Sequence, residues 1–371
     1  MAIFTEVFED VTKLGKKIPT SEYLESGKYP IIDQGQSDIA GYTNEENGLF
    51  KDVPVVIFGD HTRTVKYVDT PFFLGADGVK VLKSKLPNSN YKYLYYAVSS
   101  VNIPNTGYNR HFKWLKEANI QIPSIEKQLE IVKTLDNLTN LIGLHNQQLS
   151  KLDELVKARF VELFGDPFDT TKWTVKTLKD VSESMVDGSN VNPDYYETKG
   201  EVLFLRIQNV WRNEFRLDDS VYITQEINQK HYYDTSLKTG DLLITKIGRY
   251  YTKDSSLGRV SVYRGNEDCA NYSNNIMRVR LNDSVNSEFV NTLLNLDDYQ
   301  SYIKRTSKGG TDKRALSKSL IGSYPIIIPP KALQDEFVSF IKQTDKSKVV
   351  VQKALDEAQT LFDSLMQEYF G

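Results

Sequence analysis

Residues 120–132 read IQIPSIEKQLEIV, and residues 326–338 read IIIPPKALQDEFV. These stretches begin two copies of one segment, because residues 120–165 align without a gap with residues 326–371 at a constant offset of 206. The copies share an Ile-x-Ile-Pro start, a Gln-x-Glu pair and a Phe-Gly end in one register. An internal repeat of this kind indicates two equivalent structural units within the chain.

Each copy is predicted to form a short strand followed by one long helix. Proline suits the first turn of a helix, where its missing N–H costs nothing. Apolar residues then recur at spacings of four and three, which is typical of a coiled-coil seam, and His145 is a polar position on that seam. The matched seams favour packing of the two copies on each other; an ordinary amphipathic helix docked on its own domain is the alternative. The predicted seam residues are Ile131, Leu135, Leu138, Ile142, Leu149, Leu152, Val156, Leu163, Phe337, Ile341, Val351, Leu355, Phe362 and Leu365.

The length of 371 residues indicates two domains, and a content of 40% hydrophobic and 26% charged residues is typical of folded globular proteins. In each domain, stretches rich in Val, Ile, Phe and Tyr that end in glycine turns predict strands, and helix-like stretches follow at 91–99 and 288–294. Each domain is therefore predicted to mix helix and sheet. The predicted fold class is α+β: two globular mixed α/β domains and two long helices, with a pseudo-twofold internal repeat. The predicted parts are a first domain at 1–119, a first long helix at 120–165, a linker with a second domain at 166–325, and a second long helix at 326–371.

Charge is distributed unevenly along the chain, although the net charge is only −3. Residues 302–320 carry six Lys or Arg and one Asp, whereas residues 333–371 carry seven Asp or Glu and four Lys. A basic loop beside an acidic helix favours nucleic acid as the partner of one surface and protein as the partner of another.

Polar, basic loops follow the predicted strands of both domains and are the candidate DNA-binding sites. Lys and Arg neutralise phosphates and so supply affinity, whereas Arg, Asn and Gln can also form hydrogen bonds with base edges in the major groove. The predicted DNA-binding residues are His61, Arg63, Tyr108, Asn109, Arg110, His111, Lys113, Trp114, Lys246, Arg249, Tyr250, Lys253, Arg259, Lys304, Arg305, Lys308, Lys313 and Arg314.

Sequence motifs for catalysis are missing. The chain has neither Gly-x-Gly-x-x-Gly for a dinucleotide nor the Gly-x4-Gly-Lys motif for a nucleotide phosphate. Its four histidines are scattered, and Cys269 is the only cysteine, so the sequence predicts no catalytic residues, no metal site and no internal disulfide. The stretch Asn192–Tyr195 departs from the Asn-Pro-Pro-Tyr/Phe motif of amino-methyltransferases at Asp194. With neither a signal peptide nor an apolar run of about 20 residues, the expected location is the cytoplasm.

Taken together, these stretches resemble the specificity subunits of Type I restriction–modification systems. The resemblance is carried by residues 120–132 and 326–334, and by the string Gly240–Gly248, GDLLITKIG. The family usually has Pro-Pro and Glu-Gln in these segments, and this chain departs from that pattern at Ser124 and Leu333.

The resemblance implies that the two helices form an antiparallel coiled coil between two target-recognition domains. Each domain is then expected to read one half of a bipartite, asymmetric site in double-stranded DNA, with helix length setting the unread spacer. The implied partners are two methyltransferase (modification) subunits and two restriction/translocase subunits. The resemblance implies no cofactor for this chain, and S-adenosylmethionine, ATP and Mg for the partner subunits, which would carry adenine methylation and ATP-dependent cleavage.

Two other functions are compatible with the sequence. A coiled-coil interaction scaffold without DNA readout would show no salt-dependent affinity for DNA, whereas phosphate contacts weaken steeply as salt rises. A self-contained modification enzyme would have to bind S-adenosylmethionine on its own.

Overall fold

The computed structural model describes residues 1–75, 78–107, 109–168 and 171–371. By their internal contacts these residues divide into two units: residues 1–147 with 351–371 form the first, and residues 148–350 form the second. Each unit therefore contains one stretch of each repeat copy.

The first unit begins with short strands and helices. Its strands are β1 (Ala2–Ile3), β2 (Phe8–Asp10), β3 (Tyr29–Ile32), β4 (Gly41–Thr43), β5 (Val55–Gly59), β6 (Val65–Val68), β7 (Phe73–Leu74), β8 (Val79–Ser84) and β9 (Asn119–Ile120). Its helices before the repeat are α1 (Phe4–Val7), α2 (Tyr91–Ser99) and α3 (Phe112–Lys116). The first long helix, α4 (Ile125–Phe164), starts in this unit and ends in the second.

The core of the first unit is built around β5. This strand is central in a four-stranded antiparallel sheet of order β2-β8-β5-β6. Val56 and Phe58 pack into one apolar cluster and Val55 and Ile57 into another, because successive side chains of a strand point to opposite faces. A second sheet, β4-β3-β7, pairs β3 with β4 in antiparallel and with β7 in parallel.

The second unit repeats this plan with additional elements. Its strands are β10 (Thr174–Thr177), β11 (Ser182–Asp187), β12 (Val202–Leu205), β13 (Val221–Ile223), β14 (Leu242–Thr245), β15 (Ile247–Arg249), β16 (Val260–Val262), β17 (Ala270–Tyr272), β18 (Ile276–Leu281), β19 (Lys308–Gly309), β20 (Lys313–Ala315) and β21 (Pro325–Ile328). Its helices are α5 (Gln225–Ile227), α6 (Ser287–Asn295), α7 (Asp297–Thr306) and α8 (Lys318–Gly322), and then α9 (Lys331–Phe370) begins.

The sheets of the two units have the same topology. In the second unit the four-stranded sheet has the order β11-β18-β14-β16, and the mixed sheet β13-β12-β17 again contains one antiparallel and one parallel pair. The strand before each long helix pairs with a strand near the start of its unit, β9 with β1 and β21 with β10. The second unit adds the sheet β15-β20-β19. The α+β prediction and the two-domain repeat are confirmed.

The stretches of α4 and α9 run antiparallel within each unit. In the second unit, Asp153 of α4 pairs with Lys348 of α9 at 2.6 Å, and Arg159 pairs with Glu336 at 2.8 Å, so residue numbers rise along one helix as they fall along the other. In the first unit the ammonium group of Lys127 lies 5.9 Å from the ring centre of Tyr369, near the opposite ends of the two helices.

The predicted seam residues are all buried or half-buried. Other apolar residues of the same helices are exposed, among them Leu144 and Val350. The predicted boundaries at 119, 165 and 325 stay a prediction, because the two units divide each long helix instead of separating helix from domain. No helix formed by the described residues combines the length and the apolar character that a membrane crossing needs.

Candidate nucleic-acid interface

In the first unit, the turn between β5 and β6 meets the loop between α2 and α3. The carbonyl of Asp60 accepts from the N–H of His111 at 2.8 Å, and its carboxylate accepts from the N–H of Phe112 at 2.8 Å. The Nδ1 atom of His61 lies 3.2 Å from the carbonyl of Asn109. Two loops that are distant in sequence are therefore joined into one surface.

Several predicted residues of the first domain lie on that surface. Asn109, Arg110 and Lys113 are exposed, and Lys113 lies over the ring of the half-buried Trp114 at 4.1 Å. Tyr108 lies outside the described residues.

Two predicted residues of the first domain have mainly structural contacts. His111 is 1% exposed and its Nδ1 lies 3.0 Å from the Asp60 carbonyl, so the prediction that it contacts DNA is corrected. A buried ring already engaged with the backbone cannot reach a base or a phosphate. Arg63 is half-buried in a left-handed conformation (φ 63°), and its Nη1 donates to the Ile103 carbonyl at 3.1 Å. It joins the same two loops.

In the second unit the equivalent two loops are longer and pair as a sheet. The segment after β14 supplies β15, the segment after α6 supplies β20, and Arg249 lies opposite Lys313 in the antiparallel register. The N–H of Tyr250 donates to the Asp312 carbonyl at 2.6 Å, and the guanidinium of Arg314 lies 5.0 Å from the Tyr250 ring centre. This sheet brings together predicted residues that are more than 60 positions apart in the sequence.

The cations of this second surface differ in what holds them. The side chain of Arg249 is 75% exposed, with Asp312 at 3.7 Å, and Lys253 and Lys308 are also exposed. Lys246 forms an ion pair with Asp187 at 2.7 Å.

Two further cations of this region, Lys304 and Arg305, lie in the last turn of α7. Positive charge at this end also stabilises the helix, because the C-terminus of a helix carries partial negative charge.

Arg259 is buried, which corrects its predicted role in DNA contact. It is 6% exposed, and its guanidinium donates to the carbonyls of Asp254, Ser255 and Val210. The same group lies 3.7 Å from the ring centre of Trp211, and burial lowers the pKa of the guanidinium. Arg259 therefore ties the loop after β15 to the loop after β12.

The structure adds a third loop to each surface, which the sequence prediction missed. In the first unit, Gln34 accepts from the N–H of His61 at 3.1 Å, and the exposed Gln36 donates to Thr64 at 3.3 Å. In the second unit the loop after β12 carries Arg216, whose guanidinium lies 3.5 Å from the Trp211 ring centre. The run Gln34-Gly35-Gln36, shortly after the apolar pair Ile31 and Ile32, was the available signal in the first domain.

The string Gly240–Gly248 has a structural role. Asp241 is 1% exposed and receives two hydrogen bonds from Arg280, at 2.8 and 2.7 Å, and a third from the N–H of Lys238 at 2.7 Å. A Cβ atom on Gly248 would lie 2.3 Å from the backbone nitrogen of Leu257, so only glycine fits there. These residues hold β14, the strand that leads into the loop that contains β15.

The exposed groups of both surfaces include cations and amides, which suit phosphates and base edges. Among the described residues no group of three or more His, Cys, Asp or Glu side chains could hold a metal ion.

Comparison with known proteins identifies the family and the fold. The chain matches the family of the Type I restriction modification DNA specificity domain over residues 5–154 and 170–358. The Type I restriction enzyme EcoR124I/EcoR124II specificity subunit of Escherichia coli is 29% identical over 137 residues, which cover 33% of this chain and 34% of that protein. The alignment thus spans about a third of that relative's length.

Two solved structures share the fold. The S subunit of a Type I restriction–modification system from M. genitalium aligns with a TM-score of 0.53 and 15% identity, over 100% of this chain and 99% of that one. A chain from a structure on complex assembly and conformational transition of the type I R-M system aligns with a TM-score of 0.51 and 14% identity, over 98% and 94% of the two chains. The family match covers most of the sequence, and the chain therefore belongs to the Type I restriction–modification DNA specificity family.

Proposed function

We propose that this chain is the sequence-specific DNA-recognition subunit of a Type I restriction–modification complex, and that each domain reads one half of a bipartite, asymmetric site. One observation carries the proposal. The two units share a sheet topology, and in both of them the same two loop positions, which differ in sequence and length, contact each other and expose cations. A constant scaffold with divergent, joined loops suits two readers of different sequences.

The exposed groups supply the two kinds of contact that DNA reading needs. Lys113, Lys253 and Lys308 are exposed and would neutralise phosphates, which gives affinity but no sequence information. Arg110 and Arg249 carry a planar guanidinium that can form two hydrogen bonds with guanine, and Asn109 or Gln36 can do so with adenine.

The chain acts here without catalysis or a cofactor of its own. Two methyltransferase subunits would supply adenine methylation with S-adenosylmethionine, and two restriction subunits would supply cleavage with ATP and Mg, in the cytoplasm. The long helices suit contacts with these partners, since residues 333–371 are acidic and carry exposed apolar side chains such as Val350 and Leu361.

Paired substitutions test whether there are two readers. In the complex with methyltransferase subunits, Arg110→Ala is expected to weaken discrimination at one half-site and Arg249→Ala at the other, by about 1–3 kcal/mol each if the arginine contacts a base. Competition binding against duplexes altered in one half-site at a time measures both effects. Lys13→Ala, also exposed, is the control for loss of one charge in the first unit.

Equal losses at both half-sites for both variants would contradict the proposal. A complex whose affinity for DNA did not fall as salt rises would instead favour a coiled-coil scaffold without DNA readout.

A further inference from the structure

Gln128 and Gln334 occupy the same position in the two copies of the repeat, in the first turn of α4 and of α9. They are 5% and 0% exposed, although glutamine side chains are mostly exposed in folded proteins. A buried carboxamide needs partners for its oxygen and for its nitrogen. The partners of each glutamine therefore show what it holds in place.

In the first unit the carboxamide of Gln128 joins α4 to α2. Its Nε2 donates to the carbonyl of Pro123 at 2.9 Å, just before α4 begins. Its Oε1 accepts from the backbone N–H of Asn90 at 3.2 Å. Asn90 is the N-cap of α2, where its side chain accepts from the N–H of Tyr93 at 3.0 Å.

The second unit repeats this arrangement. Nε2 of Gln334 donates to the carbonyl of Pro329 at 2.9 Å, and its Oε1 accepts from the N–H of Asn286 at 2.9 Å. Asn286 is the N-cap of α6 and accepts from the N–H of Glu288 at 3.0 Å. We call α2 and α6 the domain helices. In both units the glutamine thus connects the start of the long helix to the capped start of the domain helix.

Among the described residues, the polar contacts that Asp136 makes between the domain helix and the long helix are not repeated in the second unit. In the first unit, Asp136 of α4 binds Lys92 at 2.6 Å and the hydroxyl of Tyr96 at 2.8 Å. The repeat offset places Lys342 at the equivalent position of α9, where a cation cannot make the same contacts. The glutamine contact is kept where its polar neighbours have changed, which argues for a role in geometry common to both units.

We infer that Gln128 and Gln334 are positioning residues that fix the orientation of each recognition domain on its long helix. Gln128 makes two side-chain hydrogen bonds, and Gln334 makes three, because its Nε2 also donates to the carbonyl of Ser284 at 3.3 Å. These bonds are directional and reach different segments, so together they restrict rotation of the domain helix about the start of the long helix. The inference rests on the proposed function: with each domain held at one angle, the complex accepts one spacer between the half-sites and rejects spacers longer or shorter by one base pair.

The test uses the complete complex with methyltransferase subunits and duplexes whose spacer is varied by one base pair. Gln128→Met and Gln334→Met keep the volume of the side chain and remove all hydrogen bonds of the carboxamide. Each is expected to lower the ratio of methylation rates between the cognate spacer and the altered spacers at least threefold, with unchanged base preference in each half-site. Gln147→Met and Gln343→Met, at exposed positions of the same helices, are the controls and should keep the wild-type ratio.

Amide hydrogen exchange gives an independent readout. Exchange at the Asn90 amide should become at least tenfold faster in Gln128→Met, and exchange at the Asn286 amide in Gln334→Met, while β5 and β14 keep their protection. A uniform fall in methylation at every spacer, with the ratio preserved, would mean a purely structural role and would overturn the inference. An unchanged ratio despite faster exchange would overturn it as well. A wild-type complex without any spacer preference would overturn the proposed function, and this inference with it.

Discussion

Arg249 and Arg259 lie ten residues apart in one loop region of the second domain, yet they have opposite surroundings. The side chain of Arg249 is 75% exposed, whereas Arg259 is 6% exposed and engages three backbone carbonyls. An exposed guanidinium is free to exchange its water for a phosphate or a base. A buried guanidinium instead holds the loop in place through hydrogen bonds with backbone carbonyls.

These surroundings predict opposite effects for two substitutions. Arg259→Leu leaves buried carbonyls without a donor and should lower the free energy of unfolding by about 2–4 kcal/mol. Arg249→Leu should change that free energy by less than about 0.5 kcal/mol, as is usual at exposed positions, while weakening DNA binding by the complex. Chemical denaturation of the isolated subunit and a binding titration separate the two effects. Equal stability of both variants would contradict the structural role given to Arg259.

The sequence predicted which segments carry the candidate site better than which residues in them are available. His111 and Arg259 are of residue types that often bind DNA, but both side chains are buried. Each contacts a segment distant in sequence: His111 contacts the carbonyl of Asp60, and Arg259 contacts the carbonyl of Val210. Local composition does not reveal such contacts. For Asn109, Arg110 and Arg249 no equivalent burial occurs, and they stay candidates.

At the scale of elements, the Phe-Gly end shared by the repeat copies anchors the long helices. Phe164 at the end of α4 is 1% exposed and packs on Phe289 of α6 and Phe337 of α9, at ring-centre distances of 4.9 and 5.5 Å. Phe370 at the end of α9 packs on Tyr93 of α2 at 5.3 Å. Each long helix thus ends on the domain helix next to the start of the other one.

Removing this anchor should destabilise the second unit. Phe164→Ala is expected to cost about 3–5 kcal/mol in the free energy of unfolding, since it removes a buried aromatic ring and leaves a cavity. Val161→Ala on the same turn, at 51% exposure, should cost less than about 0.5 kcal/mol. Denaturant titration of the two variants provides the comparison. Similar midpoints would show that the end of α4 does not contribute to the core.

The long helices are also proposed to set the length of the spacer between the half-sites. Deleting residues 142–148 and 348–354 together removes matched heptads and preserves both seams. Seven residues span about 10 Å of helix, which equals about three base pairs at 3.4 Å each. The recognised spacer should shorten by about that number, as measured by methylation of a duplex series. Deletion from one helix alone should abolish recognition, and an unchanged spacer in the double deletion would show that the helices do not set it.

The long helices were predictable because apolar residues recur every three or four positions within one continuous segment. The pairing of β15 with β20 was not, since two short strands separated by more than 60 residues leave no local pattern. That pairing assembles the second surface. The segments that form the surface could therefore be located in the sequence, but the contact between them could not.

At the scale of the whole molecule, the chain is one structural plan used twice with different loops. The shared topology, the buried glutamines and the aromatic helix ends are common to both units. The differences are concentrated in the joined loops, which form turns in the first unit and a small sheet in the second. Such a chain is suited to reading two unlike sequences with one geometry.

The most direct test is a map of methylated adenines across a genome in which this chain is expressed with its methyltransferase partners. The account predicts one asymmetric motif made of two unlike half-sites, separated by unread positions of a single fixed number, and its loss when the chain is omitted. A continuous motif, a palindromic one, or a methylation pattern that persists without the chain would contradict it.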